Sequence, residues 1–516
     1  MSKPGTTISE TELKLGAGDA DMSGLSRHCP AGWRAMAPKR KKLRNTYYDT
    51  DDLRILKAGC SLRVRTAAGK HVLTFKSNAG SDALHRRIEY NRHLAEPHVE
   101  VPEIDDPELT ERIGFLFADD LKEVFTNNID RKVVDFIREE TGSLIEAAFD
   151  AGSVKAGRNS CRISEIEFEL VEGDPADLYL LALEFLDLAT LSLTGDTKSS
   201  IGYALATGTR PDYVTAGTPG LDRQMSVRDA GRLIIADCFG HWMANQAAVL
   251  SDHHPEGVHQ MRVALRRLRS ALSLLSGYLE DADTAWMKRE VRWISDVLGP
   301  ARDLDVFQSD ILSPVRATML TPEKLDALAD AAAAARKRRT AVMRRALRSR
   351  RYTTAALRIG CWIESPPDAG FTPESAVMPV ADAASALLTK CRDRVLKVGE
   401  GFEHLGYEDR HNVRIALKRL RYANEFFRSL FDARAVRTYG RRLSGLQDDL
   451  GFMNDMAVSL TLTEQLTGAD HGNLALAEAG GFLAGWQQSR LAGDEMAMRA
   501  HWKTFRRARP YWEDAR

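Results

Sequence analysis

Polar and apolar residues alternate with period two in several segments of the N-terminal part of the chain. Residues 8–15, 61–65, 72–76, 87–89 and 164–170 each place charged side chains on every second position and mostly apolar ones between them. Successive side chains of a β-strand point to opposite faces, so this alternation predicts strands with one charged and one apolar face. At least five such strands are expected.

The charged faces carry both signs. Glu165, Glu167 and Glu169 share one face of a predicted strand, and Arg63 and Arg65 share another. Like charges at this spacing repel, so the glutamates favour a bound cation and the arginines a bound anion. One such strand alone is typical of a sheet with one solvated face. The whole set favours a closed sheet that holds a phosphate chain together with a divalent metal.

The C-terminal part of the chain is duplicated. Residues 258–269 (VHQMRVALRRLR) recur as residues 410–421 (RHNVRIALKRLR), in which His411 and Arg414 stand 152 positions after His259 and Arg262. A Leu-Gly pair and an aspartate-containing motif about 40 residues later keep the same offset. Apolar residues recur at helical spacing around both copies, so we expect a duplicated all-helical region.

Each copy of the repeated motif forms a basic helical face, because its basic residues recur every three or four positions. No acidic residue occurs in residues 259–278 or 410–424. A solvated surface helix usually balances such charges along its own face, so an anionic partner is the better explanation. Aromatic residues, which stack on bases, are nearly absent from both copies. A phosphate chain without bases is therefore expected rather than nucleic acid.

Charge and composition divide the chain. Residues 1–226 hold 29 basic and 36 acidic residues, and residues 227–516 hold 43 and 36, although the whole chain is neutral. We predict an N-terminal domain over 1–205, a linker over 206–224 and a helical domain over 225–516, with repeats over about 225–370 and 371–516.

The sequence contains no run of roughly 20 apolar residues, so no membrane span is predicted. Its six cysteines are widely scattered, which favours reduced thiols and a cytoplasmic protein.

The ordered N-terminal motifs resemble the CYTH family of triphosphate tunnel metalloenzymes. The resemblance runs over about residues 5–205 and rests on ExExK at 10–14, YYDT at 47–50, GCSLRVR at 59–65, Lys76, RxE at 87–89, DR at 130–131, DAG at 150–152, ExExE at 165–169 and KSSIGY at 198–203. It implies an antiparallel β-barrel, α+β in class, whose tunnel binds and usually hydrolyses a triphosphate with Mg²⁺ or Mn²⁺.

The same resemblance implies roles for individual residues. Metal binding or water positioning is expected of six carboxylates: Glu10, Glu12, Asp150, Glu165, Glu167 and Glu169. Phosphate binding is expected of seven basic residues: Lys14, Arg63, Arg65, Lys76, Arg87, Arg131 and Lys198. Catalysis is expected to depend most on Glu10, Glu12, Lys14 and Lys198. Which of the three glutamates of the ExExE strand contact metal stays open.

The duplicated motif, with the later LGxxRDxDV, resembles the CHAD domain, which implies binding of inorganic polyphosphate. The expected binding residues are His259, Arg262, Arg266, Arg267 and Arg269 in the first repeat and His411, Arg414, Lys418, Arg419 and Arg421 in the second. Asp303 and Asp305 would either orient these side chains or brace helices. We therefore predict an inorganic triphosphatase that also binds polyphosphate. The alternatives are a non-catalytic polyphosphate scaffold associated with granules, or a hydrolase or cyclase of thiamine triphosphate or ATP.

Overall fold

The structure is a computed structural model that describes residues 6–77, 84–101, 120–366, 370–468, 472–493 and 495–513. The chain forms two compact units. The first comprises Met1–Val214, Phe239–Gly257 and Leu347–Pro366, and the second comprises Thr215–Cys238, Val258–Ala346 and Pro367–Arg516. By sequence, two segments of the first unit fall within the predicted helical domain, and the position of the domain boundary stays a prediction.

Within the described residues of the first unit, ten strands form one sheet. They are β1 (Thr6–Gly16), β2 (Trp33–Ala35), β3 (Lys39–Asp49), β4 (Cys60–Ala67), β5 (Lys70–Ser77), β6 (His85–Leu94), β7 (Lys122–Arg138), β8 (Leu144–Ala156), β9 (Asn159–Glu172) and β10 (Ser192–Leu193). Short helices α1 (Met22–Leu25) and α2 (Arg54–Lys57) lie between strands, and α3 (Ala176–Leu186) and α4 (Lys198–Thr207) follow β9.

Eight of these strands close into a barrel. The pairing order is β1, β6, β5, β4, β3, β7, β8 and β9, and β9 pairs back with β1. All these pairs are antiparallel. Closure leaves no unpaired edge among the eight strands and gives the alternating side chains an inside and an outside. The predicted antiparallel barrel is confirmed.

Apolar side chains on the outside of the barrel pack against helices. Phe136, Phe149 and Phe168, from β7, β8 and β9, surround Phe185 of α3 at ring-centroid distances of 5.5–5.9 Å. Phe168 lies between two glutamates of the ExExE motif, so its burial outside the barrel directs those glutamates inward. The apolar face predicted from the sequence thus fixes the orientation of the charged face.

Helix α4 begins at Lys198, a residue of the predicted site. Thr197 caps the helix, because its side chain accepts a hydrogen bond from the backbone N–H of Ser200 and the Ser200 side chain bonds back to the backbone N–H of Thr197. Gly202, one turn further on, lies so close to the Phe125 ring that an added Cβ would come within 2.1 Å of it. The helix therefore docks tightly against the barrel and holds Lys198 in place.

Helices make up the second half of the chain. They are α5 (Val227–Ala244), α6 (Gln246–Ser251), α7 (Pro255–Leu274), α8 (Asp281–Val306), α9 (Ser313–Thr318), α10 (Asp326–Leu347), α11 (Arg350–Glu364), α12 (Pro373–Val377), α13 (Val380–Val398), α14 (Tyr407–Phe427), α15 (Ala433–Gly468), α16 (Leu474–Gly493) and α17 (Glu495–Arg506). A π-helical turn, Phe307–Leu312, joins α8 to α9.

The helices repeat as the sequence predicts. At an offset close to 152 residues, α5, α7 and α8 correspond to α13, α14 and α15. The apolar residues of the repeated motif, among them Leu265 and Leu417, are fully buried. The predicted duplicated helical region is confirmed. Among the residues that the structure describes, no helix combines the length and apolar character needed to cross a membrane.

Candidate functional site

A polar cavity of about 160 Å³ lies inside the barrel. Eleven of the thirteen barrel residues expected to bind metal or phosphate line it; Asp150 and Glu165 do not. The lining residues with ionisable side chains are Glu10, Glu12, Lys14, Lys41, Tyr47, Arg63, Arg65, Lys76, Arg87, Glu89, Arg131, Glu146, Glu167, Glu169 and Lys198. The structure therefore gathers side chains from all eight strands and from α4 around one cavity.

Strand register explains which charges meet. Glu10 of β1 lies opposite Arg87 of β6, and Lys14 of β1 lies opposite Glu167 of β9. Arg131 of β7 lies opposite Asp150 of β8. Cross-strand neighbours of opposite sign attract each other, so each of these pairs also stabilises the register that creates it.

Three buried carboxylates surround the ammonium group of Lys198. Its Nζ lies 2.6 Å from an oxygen of Asp150 and 3.0 Å from one of Glu167, and it also contacts Glu165. Burial alone would lower the pKa of Lys198, but the carboxylates outweigh it and raise that pKa to about 12. Lys198 is therefore a charged ammonium held among carboxylates.

Glu167 also contacts two cations from neighbouring strands. Lys14 Nζ lies 2.5 Å from Glu167 Oε1, and the Arg131 guanidinium contacts both Glu167 and Asp150. Burial opposes ionisation of Glu167, but Lys14, Lys198 and Arg131 hold its pKa well below the usual value. The same carboxylates raise the pKa of Arg131 against the effect of its own burial. Glu167 and Arg131 are therefore both charged at neutral pH.

Oxygen ligands for a hard divalent cation are present in this cluster. One carboxylate oxygen from each of Asp150, Glu165 and Glu167 lies within 4.8 Å of the other two. Carboxylate oxygens in this number suit Mg²⁺ or Mn²⁺. The donor set therefore fits a divalent metal, on the condition that the ammonium of Lys198 yields its place among the same oxygens.

Glu169 lies outside that cluster. Its pKa is raised to about 7, mainly by burial and also by the nearby negative charge of Glu10. Glu146 lies opposite Glu169 in the β8–β9 pair, and both line the cavity. Of the three glutamates of the ExExE motif, Glu165 and Glu167 thus belong to the metal-compatible cluster and Glu169 to a second acidic region of the cavity.

A second group of ion pairs forms at the β1, β5 and β6 strands. Lys76 Nζ lies 2.6 Å from Glu10 Oε2 and also contacts Glu89, while Arg87 contacts Glu12 and lies 3.7 Å from Glu10. Burial opposes ionisation of Glu89, but Lys76 and Arg63 lower its pKa to about 2. The lysine and arginine of this group are held by carboxylates.

Arg63 and Arg65 differ from those cations of the cavity that are held in ion pairs. In the part of the chain that the structure describes, neither forms an ion pair with a carboxylate. Arg63 donates to the Tyr47 hydroxyl at 3.4 Å, and Arg65 Nε donates to Asn45 Oδ1 at 3.0 Å. Burial, with repulsion from Arg63 and Arg131, lowers the pKa of Arg65 to about 10. This wall of the cavity is the one that most favours an incoming anion.

Several lining residues had no role predicted from the sequence. They are Lys41, Asn45 and Tyr47 of β3, Glu89 of β6 and Glu146 of β8. In β3, residues 41, 43, 45 and 47 share the inner face, but the sequence KRKKLRNTYYD carries charge on both faces, so alternation could not predict these positions. Glu89 is the second charged residue of the RxE motif, so alternation along β6 was a signal for that residue, although it did not show what the residue would face.

In the second unit, the basic faces of α7 and α14 come together. Arg266 of α7 is close enough to Arg414 and Lys418 of α14 to disfavour their charged forms. Burial, followed by Arg414 and Arg266, lowers the pKa of Lys418 to about 7. We call Arg262, Arg266, Arg414 and Lys418 the basic groove. Such a concentration of positive charge favours an anionic ligand.

Aspartates from two other helices lie beside the basic groove. Asp303 of α8 lies 4.0 Å from Arg262, and Asp455 of α15 acts electrostatically on Arg414 and Lys418. These aspartates occupy equivalent positions in the two repeats. The basic motifs contain no acidic residues of their own, and Asp303 of α8 and Asp455 of α15 balance part of their positive charge. Of the two roles considered for Asp303, its position next to Arg262 favours orienting the basic side chain.

Asp305 serves a different purpose. It is buried and lies 2.9 Å from Arg336 of α10, so it braces two helices of the first repeat. At the same offset the second repeat has Ala457 and Gln488. Both partners of the ion pair are therefore replaced together, which explains the departure of the second repeat from the first at this position.

The other expected polyphosphate-binding residues are distributed differently. His259 and His411 are half-buried, and Arg269, Arg419 and Arg421 are exposed, Arg421 paired with Glu425. Arg267 is fully buried: it lies 2.8 Å from Asp237 and stacks over the Phe426 ring. The structure does not bring Arg267 into the basic groove: Asp237 and Phe426 hold it inside the bundle, whereas Arg419, at the equivalent position of the second repeat, is exposed.

Family models match both parts of the chain. Residues 9–200 match the CYTH domain, and residues 233–464 match the CHAD domain. The chain therefore combines a CYTH domain with a C-terminal CHAD domain, as the sequence motifs predicted.

Individual relatives match parts of the chain. Over 201 residues it is 33% identical to an inorganic triphosphatase of Haemophilus influenzae, a match that covers 38% of this chain and 55% of the relative. An uncharacterized protein of Mycobacterium tuberculosis is 32% identical over 185 residues, 34% of each chain. The matches thus span about half and a third of these relatives. The crystal structure of the CHAD domain from the plant Ricinus communis is 28% identical, with a TM-score of 0.49, and covers 58% of this chain and 98% of that one.

Proposed function

We propose that the barrel hydrolyses inorganic triphosphate to pyrophosphate and orthophosphate with Mg²⁺ or Mn²⁺, and that the basic groove binds polyphosphate. The observation that carries the first part is the cavity itself, which is rich in carboxylates and in which Arg63 and Arg65 form no ion pair with any carboxylate among the described residues. The identity of 33% to an inorganic triphosphatase supports the same activity.

Substrate binding would exchange the ion pairs inside the barrel. Arg63 and Arg65 offer paired N–H donors to non-bridging phosphate oxygens. Lys14, Lys76 and Arg87 are now held by carboxylates, and a phosphate chain would draw them away. The carboxylates released in this way can hold a divalent cation, which neutralises charge on the phosphate oxygens when bound. Anionic substrate and metal would therefore bind cooperatively.

Hydrolysis needs positioning and charge neutralisation more than a protein nucleophile. The oxygen of a water forms a bond to the terminal phosphorus, the bridging P–O bond breaks and pyrophosphate leaves. The water proton requires an acceptor, and Glu169, whose pKa is about 7, is suited to take it near neutral pH. Lys14 and Lys198 would hold the phosphate oxygens in line and neutralise the charge of the leaving group.

The test is orthophosphate release from tripolyphosphate by the purified full chain with Mg²⁺ or Mn²⁺. We expect EDTA and the double substitution Glu10→Gln/Glu12→Gln to abolish release. The matched control, Glu123→Gln/Glu172→Gln, changes two exposed glutamates of the same barrel and should leave release unchanged. ATP and thiamine triphosphate serve as rival substrates, with cyclic AMP assayed beside phosphate. Faster turnover of either would assign the barrel to organic triphosphates.

The groove proposal rests on Arg266, Arg414 and Lys418, which lie close together with Asp455 as the nearby carboxylate. Binding of labelled polyphosphate to the full chain should weaken at least tenfold in Arg266→Gln/Lys418→Gln. The control Arg434→Gln/Arg437→Gln removes two exposed arginines from α15, roughly 30 Å along the helix from Asp455 at about 1.5 Å per residue. No triphosphate turnover together with intact polyphosphate binding would favour the scaffold function.

A further inference from the structure

Strand β10 lies beside the end of β1 that carries Lys14. Among the described residues, the pairing of β1 with β6 ends at Glu12, and β10 takes the same side of β1 further on, with Leu193 opposite Leu15. Strand β9 occupies the other side there. The backbone N–H of Thr194 donates to the carbonyl oxygen of Lys14 at 3.2 Å. The position of β10 therefore affects the backbone of a residue that is expected to bind phosphate.

The same strand leads directly to Lys198. Only four residues separate Leu193 from Lys198, and among them the backbone N–H of Asp196 donates to the Thr194 hydroxyl at 3.1 Å. Lys14 and Lys198 both line the barrel cavity. A displacement of β10 would therefore shift the backbone at Lys14 and the connection to Lys198 together.

Side chains from two helices hold the backbone of β10, which is only two residues long. Gln246 of α6 donates from Nε2 to the Leu193 carbonyl oxygen at 2.6 Å, and the Thr353 hydroxyl of α11 lies 3.3 Å from the Leu191 carbonyl oxygen. All four residues are buried. A buried carbonyl that loses its donor stays unsatisfied, because water does not replace the lost partner. The contact with Gln246 is therefore a strong constraint on β10.

A chain of buried hydrogen bonds orients the Gln246 amide. The indole N–H of Trp242 donates to the Tyr352 hydroxyl at 2.9 Å, and that hydroxyl donates to Gln246 Oε1 at 2.9 Å. Because an indole nitrogen only donates, this direction is fixed, and the amide nitrogen of Gln246 is the group that faces Leu193. These residues belong to the first compact unit, although Gln246 and Tyr352 fall in the range that matches the CHAD domain.

We propose that Gln246 is a positioning residue for triphosphate hydrolysis, because it holds β10 and, through β10, the backbone at Lys14 and the start of α4. This inference rests on the proposed function, in which Lys14 and Lys198 align the phosphate oxygens and neutralise the leaving group. Arg63 and Arg65 lie on β4, which does not pair with β1 or β10. Loss of Gln246 should therefore spare phosphate binding at these arginines and slow the chemical step.

The first experiment measures kcat and KM for tripolyphosphate with the full chain as wild type, Gln246→Met and Asn245→Leu. Asn245 is the matched control: its amide is also buried, but it bonds to the backbones of Val214 and His241 rather than to β10. We expect Gln246→Met to lower kcat about tenfold and to change KM less than about twofold. Asn245→Leu should change neither. Unchanged kcat in Gln246→Met, or an equal loss in both variants, would overturn the inference.

A second variant, Gln246→Glu, keeps the shape of the side chain. Its carboxyl can donate to the Leu193 carbonyl oxygen only while it is protonated, and burial raises the pKa of a carboxyl. The ratio of its kcat to that of the wild type should therefore be close to one at low pH. A ratio that is low at every pH would count against the role of Gln246.

Hydrogen exchange of the substrate-free chain separates this inference from the proposed function. In Gln246→Met, the amides of residues 13–16 and 192–198 should exchange at least about fivefold faster, whereas those of β7 and β8 should not change. Asn245→Leu should leave both segments unchanged. Absence of phosphate release by the wild type would overturn the triphosphatase proposal and leave this measurement intact. Unchanged exchange in both segments of Gln246→Met would overturn the role of Gln246.

Discussion

Lys14 and Glu167 form an ion pair across the seam where β1 and β9 close the barrel, with 2.5 Å between Nζ and Oε1. The pair joins the first strand of the barrel to the last. Burial alone would lower the pKa of Lys14, but Glu167 and Glu165 outweigh it and raise that pKa. The contact that closes the fold is thus made by two residues that the proposed chemistry also needs.

We expect Lys14→Met and Glu167→Gln each to lower the thermal stability of the barrel, because each leaves a buried charge with fewer partners. Because the two residues share one contact, their effects should not add. The double variant should be about 1–3 kcal/mol more stable than the sum of the single effects predicts. Thermal unfolding of the four proteins measures this coupling, and strictly additive effects would contradict the ion pair.

Lys198 and a divalent metal compete for the same carboxylates. Removing the ammonium in Lys198→Met should therefore tighten Mn²⁺ binding to the substrate-free protein several-fold. Phosphate release should fall at the same time, because Lys198 is a proposed phosphate ligand. Electron paramagnetic resonance of free Mn²⁺ measures the affinity. Lys155→Met, an exposed lysine of β8, is the control, and weaker Mn²⁺ binding in Lys198→Met would show that the cluster is not a metal site.

Polyphosphate binding should depend on pH through Lys418. Burial and the charges of Arg414, Arg266 and Arg421 act against its protonated form, Asp455 acts for it, and the resulting pKa is about 7. A polyanion favours the protonated form, so affinity should fall as pH rises from about 7 to about 9. Lys418→Arg stays charged and should flatten this profile. Polyphosphate titrations at several pH values measure this dependence. Parallel pH profiles for the wild type and Lys418→Arg would contradict the role of Lys418.

The stability of the protein should move in the opposite direction over the same range. The pKa of Lys418 is lowered in the folded state from its ordinary value of 10.5, so the unfolded chain binds more protons between about 7 and 10.5. The contribution of Lys418 to stability therefore rises with pH in this window. Because affinity falls with pH while this contribution to stability rises, weaker polyphosphate binding at high pH cannot be explained by unfolding through Lys418.

Arg267 should affect stability rather than binding. Arg267→Met removes the partner of Asp237 and should lower the free energy of unfolding by about 3 kcal/mol, because a charge is left in a largely buried site. Arg269→Met, two residues away on the exposed side, should change it by less than about 0.5 kcal/mol. Thermal unfolding and polyphosphate titration of both variants provide the check. Loss of binding with unchanged stability in Arg267→Met would place Arg267 in the groove after all.

Much of the cavity followed from alternation along the strands. Glu10, Glu12 and Lys14 share one face of β1, and burial of Leu13 and Leu15 outside the barrel leaves that face only the interior. Alternation did not predict which residues on neighbouring strands would form ion pairs with them. Lys76 contacts Glu10 and Glu89 because β5, β6 and β1 are neighbours in the barrel, an order that no local pattern specifies.

In the helical half of the chain, too, the sequence pattern predicted which residues share a face but not what that face contacts. Helical spacing places Arg262, Arg266 and Arg269 on one stripe, but it does not separate a groove from an exposed surface. Arg267 matched the repeated motif and still lies in the bundle interior. Asp303 and Asp455 reach the basic faces from helices about 40 residues further along the chain. Sequence distance gave no indication of that proximity.

The sequence by itself determined the strand faces, the duplication and the family of each half, because periodicity and motif order are local properties of the chain. Only the tertiary structure decided which charges neutralise one another. Ion pairing depends on distances of a few ångströms between residues such as Lys198 and Asp150, 48 positions apart, and only barrel closure and helix docking fix those distances. The same closure left Arg63 and Arg65 without an ion-pair partner among the described carboxylates, and these two cations indicate where a phosphate chain would lie.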